Sequence, residues 1–173
     1  RSGIMNAAGE PDMPPLGIAG GIADQMGGVM LAWGIVNALI ARERHGVGQE
    51  VNGSHLGSML FLQGLSVSMK LLAGVAFPRS FRARAANPLW NHYRCADGKW
   101  IAFAMLQSDR YWPDFARLIG RPELATDDRF KDLAARAKNS AECVAIIDGA
   151  MATKTRDEWL RALRADAGDY IYT

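Results

Sequence analysis

The chain has 173 residues, of which 49% are hydrophobic and 22% charged, a composition typical of a folded protein with a sizeable core. The formal net charge is only +2, and the arginines are scattered, so the sequence disfavours a nucleic-acid partner. Two distant cysteines, Cys95 and Cys143, have neither metal-ligand nor disulfide spacing, and no signal peptide is recognisable. These features predict reduced thiols that pack in the interior, no bound metal and a cytoplasmic protein.

The first segment, residues 1–21, is rich in Gly and Pro and predicts an irregular loop. A helix is predicted from near Asp24 to about Arg44, where basic residues complement the helix dipole and Gly46 supplies a left-handed stop. The chain opens abruptly on "RSGIMNAAGEPDMPPLG" and ends abruptly on "AGDYIYT", as expected of a piece of a longer protein.

The middle of this helix, residues 26–41, is almost entirely apolar. This run is shorter than the roughly 18 to 20 residues of a membrane-spanning helix, and a helix apolar on all sides is typically buried in a soluble protein. We therefore expect no membrane insertion. After an extended stretch, "GQEVNGS", a second apolar helix is predicted over "SHLGSMLFLQGLSVSMKLLAG", with Ser54 as its cap. Two such helices require a large packing partner, either a sheet that this sequence lacks or another subunit.

The second half begins after a change in composition. Residues 76–86 have little periodicity and predict a linker between a helical part, 1–75, and an α+β part, 87–173. The run "HYRCADGKWIAFAM" predicts a β-hairpin that turns at Asp97-Gly98. Helices are then predicted over 107–119, 128–136, 141–152 and 156–166. The last carries a capping box, Thr155 and Glu158, and a buried stripe of Trp159, Leu160 and Leu163. Packing roles are predicted for all five tryptophans: Trp33, Trp90, Trp100, Trp112 and Trp159.

Asp24 is the acid that raises a chemical question. In the first helical turn an acid ordinarily accepts backbone N–H bonds and is favoured by the helix dipole, which needs no catalysis. The neighbouring glycines leave room for a ligand or for tight helix packing; they are Gly20, Gly21, Gly27 and Gly28. A carboxylate here can also act as a nucleophile toward an activated acyl group, or as a general base. The residues alone leave these roles open.

The three histidines give little support for a relay. His45 fits a capping role at a helix end, and His92 fits a strand position. His55, at the start of the second helix, could face the same cleft as Asp24, but this is the less favoured interpretation. The Gly27-Gly28 pair is not a phosphate-loop pattern, and no local signature marks a serine or cysteine nucleophile.

Several blocks occur in a characteristic order: "GGIADQMGGVMLAWGIVNALIARERHGVGQEV", "NPLWNHYRCADGKWIAFAM", "YWPDFARLIGRPELATDDRF" and "KTRDEWLRAL". Together with the opening segment they strongly resemble the class III coenzyme A transferases, the CaiB/BaiF family, up to about Ala167. The resemblance implies an α/β fold class. Residues 1–75 would form the helical end of a Rossmann-like large domain, and 87–173 an incomplete small α+β domain. It also implies an interlocked homodimer.

The resemblance assigns chemistry to the aspartate of the I-A-D block, Asp24. It implies that Asp24 attacks an acyl-CoA thioester, forms an aspartyl anhydride and then an aspartyl-CoA thioester, and passes CoA to a carboxylic acid acceptor. Coenzyme A enters as a substrate thioester, and no permanently bound cofactor is expected. Gly27, Gly28 and His55 become candidate residues for binding substrate or CoA.

Three departures from the family pattern qualify the resemblance. "AANPLWNHY" replaces the glycine run of formyl- and oxalate-handling members, which argues against those substrates. His55 stands where relatives often have an apolar residue, and the tail, residues 169–173, lacks the usual continuation.

Two alternatives remain. One is the proton transfer of α-methylacyl-CoA racemases, which pair this aspartate with an upstream histidine; the other is an inactive fragment that serves as a helical packing or dimerisation module.

Overall fold

The structure is a computed structural model that describes residues 2–167, with side chains described through residue 165. The departure predicted for the tail, 169–173, lies outside the described residues. The chain divides into two compact units, Arg1–Arg79 and Ser80–Thr173. The boundary falls inside the predicted linker, 76–86, and the residues after it pack onto the second unit.

The first unit contains four helices in its described part: α1 (Ile4–Ala7), α2 (Ile22–His45), α3 (His55–Leu62) and α4 (Gly64–Ala73). The short α1 interrupts a segment that was predicted to be wholly irregular. The end of α2 is as predicted, because Gly46 adopts a left-handed φ of 68° and its N–H donates to the Arg42 carbonyl at 2.9 Å.

The predicted second helix is two helices, α3 and α4, bent by 77° at Gln63. The apolar pattern runs through this bend and hides it. Gly64 follows directly, and glycine is about 1 kcal/mol less favourable than alanine inside a helix, so the chain is readily interrupted here. The predicted cap of α3 is confirmed, since the Gly57 N–H donates to Ser54 Oγ at 3.0 Å.

Residues 46–54 carry the chain back along α2 without forming a strand. Val51 lies so close to Gly34 that a Cβ on this glycine would stand 2.7 Å from the Val51 side chain. The chain then enters α3, which brings Phe61 to Trp33 with ring centroids 6.1 Å apart. This return path places the start of α3 beside the start of α2.

The first unit leaves most of its apolar surface exposed. Met59 is its only buried apolar side chain among residues 2–79, whereas Leu72 is 88% exposed and Leu71 78% exposed. No residue of α2 is buried within the described chain. By length and composition, α2 is also long and apolar enough to cross a membrane, because the helix extends beyond the run counted in the sequence.

The second unit is built around an antiparallel hairpin, β1 (Trp90–Arg94) and β2 (Trp100–Ala104), in which Trp90 lies opposite Ala104. The predicted turn at Asp97-Gly98 is confirmed. This hairpin is the only sheet in the described residues, so they contain no Rossmann-like parallel sheet and are mostly helical.

The remaining helices are α5 (Ser108–Leu118), α6 (Leu133–Lys138), α7 (Ser140–Met151) and α8 (Arg156–Ala167), with short 3₁₀ turns at Arg82–Arg84 and Pro122–Ala125. Three of the four predicted helices are confirmed. The prediction over 128–136 was wrong in its bounds. Asp132 caps the helix by accepting the Ala135 N–H at 2.8 Å, so α6 begins only after it.

The core of the second unit is closely packed. Trp112 and Trp159 are buried in it, as are both cysteines, which are free thiols. The packing prediction was wrong for the other three tryptophans, which are half exposed: Trp33, Trp90 and Trp100. The last two project from the outer face of the hairpin, where the alternation of strand side chains places them.

The predicted capping box at the start of α8 is confirmed. The Thr155 N–H donates to Glu158 Oε2 at 2.8 Å, and the Glu158 N–H donates to Thr155 Oγ1 at 3.4 Å. Behind it, Trp159 and Leu163 are buried in the core and Leu160 is partly buried. The local sequence signals therefore specify this end of the second unit correctly.

Candidate active site

Asp24 is the third residue of α2 and follows Gly21, the N-cap, which has a left-handed φ of 74° and no side chain to cap the helix. The Asp24 side chain is 75% exposed. Within residues 2–167 its carboxylate accepts no hydrogen bond, so it is not held as an ordinary helix cap. It nevertheless lies in the first turn, where the positive end of the helix dipole favours a negative charge.

His55 is the residue that meets this carboxylate. As the first residue of α3, it reaches Asp24 because residues 46–54 return along α2. His55 Nε2 stands 3.6 Å from Asp24 Oδ1, and its side chain is 64% exposed. In the part of the chain that the structure describes, no other basic group lies within ion-pair distance of Asp24. The distance is longer than a hydrogen bond and within the range of an ion pair.

Gly27 and Gly28 differ in what surrounds them. A Cβ on Gly27 would stand 2.7 Å from His55 Cδ2 and 3.2 Å from its Nε2, so the imidazole ring occupies the space that a side chain would need. A Cβ on Gly28 would meet nothing within 4 Å. Gly27 therefore makes room for His55, and Gly28 leaves open space beside the first turns of α2.

The structure thus brings together Asp24, Gly27 and His55, with Gly28 adjacent. His45 is the last residue of α2 and belongs to its basic C-terminal turn, consistent with a capping role. His92 is a strand residue, as predicted, and its ring lies 5.3 Å from that of Trp100. Among the described residues, no group of three or more His, Cys, Asp or Glu side chains is arranged to hold a metal ion.

Sequence reasoning gave no role to Arg79, which anchors the loop that precedes α2. Its Nη1 donates to the Met13 carbonyl at 2.9 Å, and its Nε and Nη2 reach the carbonyls of Gly9 and Pro14 at 3.4 Å. One side chain at the end of the first unit thereby restrains the Gly- and Pro-rich segment leading to Asp24. Arg79 is one of three arginines in a stretch of low periodicity, with Arg82 and Arg84, and nothing in the sequence singles it out for such a contact.

Residues 87–93, which the family resemblance places where some members have a glycine run, are tied to the core of the second unit. Asn87 Nδ2 donates to the Met105 carbonyl at 2.9 Å, and the Leu89 N–H donates to Asn87 Oδ1 at 3.0 Å. The Tyr93 hydroxyl donates to the Pro88 carbonyl at 2.7 Å, and Leu89 is fully buried. Residues 87–93 are therefore fixed by side-chain bonds where a glycine run would leave free backbone.

Comparison with known proteins identifies the class. The family described as "CoA-transferase family III" matches residues 1–168. The chain belongs to this family, also called CaiB/BaiF.

Two relatives illustrate the range of the similarity. The chain is 30% identical over 159 residues to the (R)-2-hydroxy-4-methylpentanoate CoA-transferase of Clostridioides difficile, covering 92% of this chain and 39% of that protein. It is 32% identical over 161 residues to the acetyl-CoA:oxalate CoA-transferase of Acetobacter aceti, covering 92% and 41%.

Solved structures agree with the family assignment. A CAIB/BAIF family protein from Brucella suis superimposes with a TM-score of 0.79 at 28% identity, covering 96% of this chain and 43% of that one. The Rv3272 protein of Mycobacterium tuberculosis gives a TM-score of 0.76 at 27% identity, covering 99% and 44%. The described fold is therefore a partial CaiB/BaiF fold, and the chain spans about two fifths of the length of the relatives it matches.

Proposed function

We propose that the full-length protein carrying this chain is a CoA-transferase that uses Asp24 as its nucleophile. The observation that carries the proposal is an exposed carboxylate, accepting no hydrogen bond from residues 2–167, at the N-terminus of a long helix in a chain of CoA-transferase family III. A carboxylate held by several donors would have to give them up before attack, and Asp24 has none to lose among these residues.

The proposed reaction begins when an Asp24 oxygen forms a bond to the thioester carbonyl carbon. The C–S bond breaks, and sulfur leaves with the electron pair as the CoA thiolate, so Asp24 becomes a mixed anhydride. The thiolate then attacks the aspartyl carbonyl, which releases the donor acid and leaves an aspartyl-CoA thioester. The acceptor carboxylate then attacks the aspartyl-CoA carbonyl carbon and expels the CoA thiolate, which gives a second mixed anhydride. The thiolate attacks the acceptor's carbonyl carbon, so the product thioester forms and Asp24 leaves as the free carboxylate. Each step exchanges one anion for another: the departing donor carboxylate carries away one negative charge and the arriving acceptor carboxylate restores it. No metal or redox cofactor enters the scheme.

The start of α2 supplies features that favour this chemistry. The first N–H groups of a helix have no partner within the helix, and donors of that kind stabilise the oxyanion that develops on a thioester carbonyl. The open space at Gly28 leaves room for a thioester to approach them. We accordingly assign Gly28 to substrate approach and the helix start to charge stabilisation.

For the substrates, we propose organic acyl groups larger than formyl or oxalyl. The segment at 87–93 is fixed by hydrogen bonds and lacks the glycines of a mobile lid. One similar protein is named for a branched hydroxy acid, although another is named for oxalate. A donor panel of acetyl-, oxalyl- and branched acyl-CoA would decide this, and preferential transfer from oxalyl-CoA would overturn it.

The division into two units is the basis for a proposal about the domains of the complete protein. We propose that the first unit completes a Rossmann-like large domain, that the second forms the small domain, and that the complete protein is a cytoplasmic, interlocked homodimer. The support is the exposed apolar surface of α2 to α4 in a chain that covers about two fifths of its relatives. Gel filtration of the complete protein at the mass of a monomer would contradict the dimer.

Proton transfer of the racemase type is the second candidate. An acid and a base working on opposite faces of one α-carbon each approach it to about 3 Å, and therefore stand about 6 Å apart. Asp24 and His55 are separated by 3.6 Å, which is too close to bracket a carbon. A racemase would thus need a different histidine. Uptake of deuterium at the substrate α-carbon without CoA transfer would favour it.

An inactive packing module is the third candidate, favoured by the exposed leucines of α4. It predicts large assemblies of the chain on gel filtration and no transfer activity even in the complete protein.

The experiment that tests the proposal is Asp24→Asn in the full-length protein, with transfer followed by acyl-CoA chromatography. The amide keeps the shape of the side chain but is a poor nucleophile, so we expect a loss of at least about 10³-fold. Asp12→Asn, at an exposed acid in the loop before α2, is the matched control and should leave transfer unchanged. Retention of more than a few per cent of activity in Asp24→Asn would reject Asp24 as nucleophile.

A further inference from the structure

Asp24 and His55 make a contact that the nucleophile role alone does not explain. The two oxygens of the carboxylate have different surroundings. Oδ1 faces His55 Nε2 at 3.6 Å, whereas Oδ2 lies on the side of Gly21, 3.8 Å from where a Cβ on that glycine would be. Because Gly21 has no side chain, Oδ2 remains open to an incoming group.

The imidazole position is defined by the backbone. The return segment, 46–54, delivers His55 to the start of α2, and Gly27 provides the space that the ring fills, since a methyl group there would overlap His55 Cδ2 at 2.7 Å. In the imidazolium and in the neutral Nε2–H tautomer alike, Nε2 carries a hydrogen. In either form His55 directs an N–H toward Oδ1 at 3.6 Å, which is longer than a hydrogen bond, while Oδ2 faces no donor among the described residues.

We propose that His55 is a positioning residue for the nucleophile: seated against Gly27, it holds Asp24 Oδ1 through Nε2 and thereby directs Oδ2 toward the thioester carbonyl. This inference rests on the proposed function and adds the residue that orients its nucleophile. An exposed carboxylate otherwise rotates freely about its side-chain bonds. Restricting it to a geometry ready for attack lowers the barrier of the acylation step, because misplacement by about 1 Å costs on the order of 10²-fold.

The test is single-turnover acylation of Asp24 in the full-length protein, together with the KM of the acyl donor. His55→Leu removes the donor and keeps a side chain of similar size, and we expect acylation to slow by at least about tenfold while the donor KM changes less than about twofold. His55→Gln retains an N–H₂ donor at a similar distance from the backbone and should recover most of the rate. Equal losses in His55→Leu and His55→Gln would overturn the donor role.

Gly27→Ala tests independently whether the space at Gly27, called the seat of the imidazole ring, positions His55. The added methyl displaces the ring, so acylation should slow as in His55→Leu, and the double variant should be no slower than either single variant. Losses that multiply in the double variant, or a Gly27→Ala protein that acylates normally, would overturn the seat.

Gly28→Ala provides a structural control with the same added methyl one residue further on. The imidazole NMR signals of His55 should shift in Gly27→Ala and stay in place in Gly28→Ala, because only the first methyl meets the ring. Shifts of equal size in both variants would count against a specific seat.

These outcomes separate the two proposals. If Asp24→Asn is inactive and His55→Leu acylates at the normal rate, only the positioning role fails. If Asp24→Asn stays active, both the proposed nucleophile and the positioning role of His55 fail.

Discussion

The two units differ in how many of their apolar side chains they bury. The first exposes leucines on α4 almost fully and buries one apolar side chain among residues 2–79, whereas the second encloses Trp112, Trp159 and Leu163 in a continuous core. Both are rich in helix, so secondary structure does not cause the difference. The first unit presents faces that other parts of a longer chain, or another copy, are proposed to cover. The second unit encloses its core without such a covering partner.

The candidate nucleophile belongs to the first unit. Asp24 and His55 are placed by helix ends and a return segment, not by a core, and both side chains are more than half exposed. Their contact depends on backbone geometry that the second unit does not share. Stability measured in the second unit and activity measured at Asp24 should therefore respond to different substitutions.

The largest expected effect on stability comes from replacing a leucine by alanine, and it should differ sharply between the two units. Leu163→Ala opens a cavity in the second unit and should lower its free energy of unfolding by about 2 to 5 kcal/mol. Leu72→Ala, at a side chain that is 88% exposed, should change the stability of this 173-residue chain by less than about 0.5 kcal/mol. Urea unfolding with hydrogen exchange assigned to each unit measures both. Similar losses would contradict the comparison.

Alkaline pH should weaken the second unit specifically. Burial raises the pKa of the Cys143 thiol from 9.0 to about 12, so above pH 9 the unfolded chain releases a proton that the folded unit keeps. The free energy of unfolding should therefore be fully retained below pH 9 and fall as the pH rises toward 12, by up to about 1.4 kcal/mol per pH unit. Burial also raises the pKa of Tyr93, which adds to the same trend. Cys143→Ala should flatten the slope in urea titrations, and an unchanged slope would show that Cys143 is not its source.

The capping box gives a smaller effect. Thr155→Ala removes the hydroxyl that accepts the Glu158 N–H and should cost about 1 kcal/mol of the stability of the second unit. Thr155→Ser keeps a hydroxyl at the same position and should cost much less. Hydrogen exchange at the first amides of α8 locates the loss, and equal losses in the two variants would argue against capping.

The sequence predicts the second unit better than the first for a physical reason. Its hairpin turn, its capping box and three of its four helices are encoded by local signals, and each is present in the structure. The bend at Gln63 was missed because the apolar pattern continues across it. The exposure of Trp90 and Trp100 was missed because composition does not say which face of a hairpin is covered.

In the candidate site, too, the locally encoded features could be predicted from the sequence and the tertiary contacts could not. The position of Asp24 in the first turn of α2 follows from local sequence. Its approach to His55 depends on the return of residues 46–54 along α2, a tertiary feature for which the sequence offered only a shared cleft as a hypothesis. The different surroundings of Gly27 and Gly28 are invisible in sequence, because both read as small residues beside an acid.

The most direct test of Asp24 as nucleophile is mass spectrometry of the full-length protein after incubation with a panel of acyl-CoA donors, hydroxylamine or borohydride trapping, and peptide mapping. We predict a trapped adduct on the peptide that contains Asp24, formed with the preferred donor and lost in Asp24→Asn. The absence of any adduct, together with deuterium uptake at the substrate α-carbon, would contradict covalent CoA transfer and show that Asp24 moves protons instead.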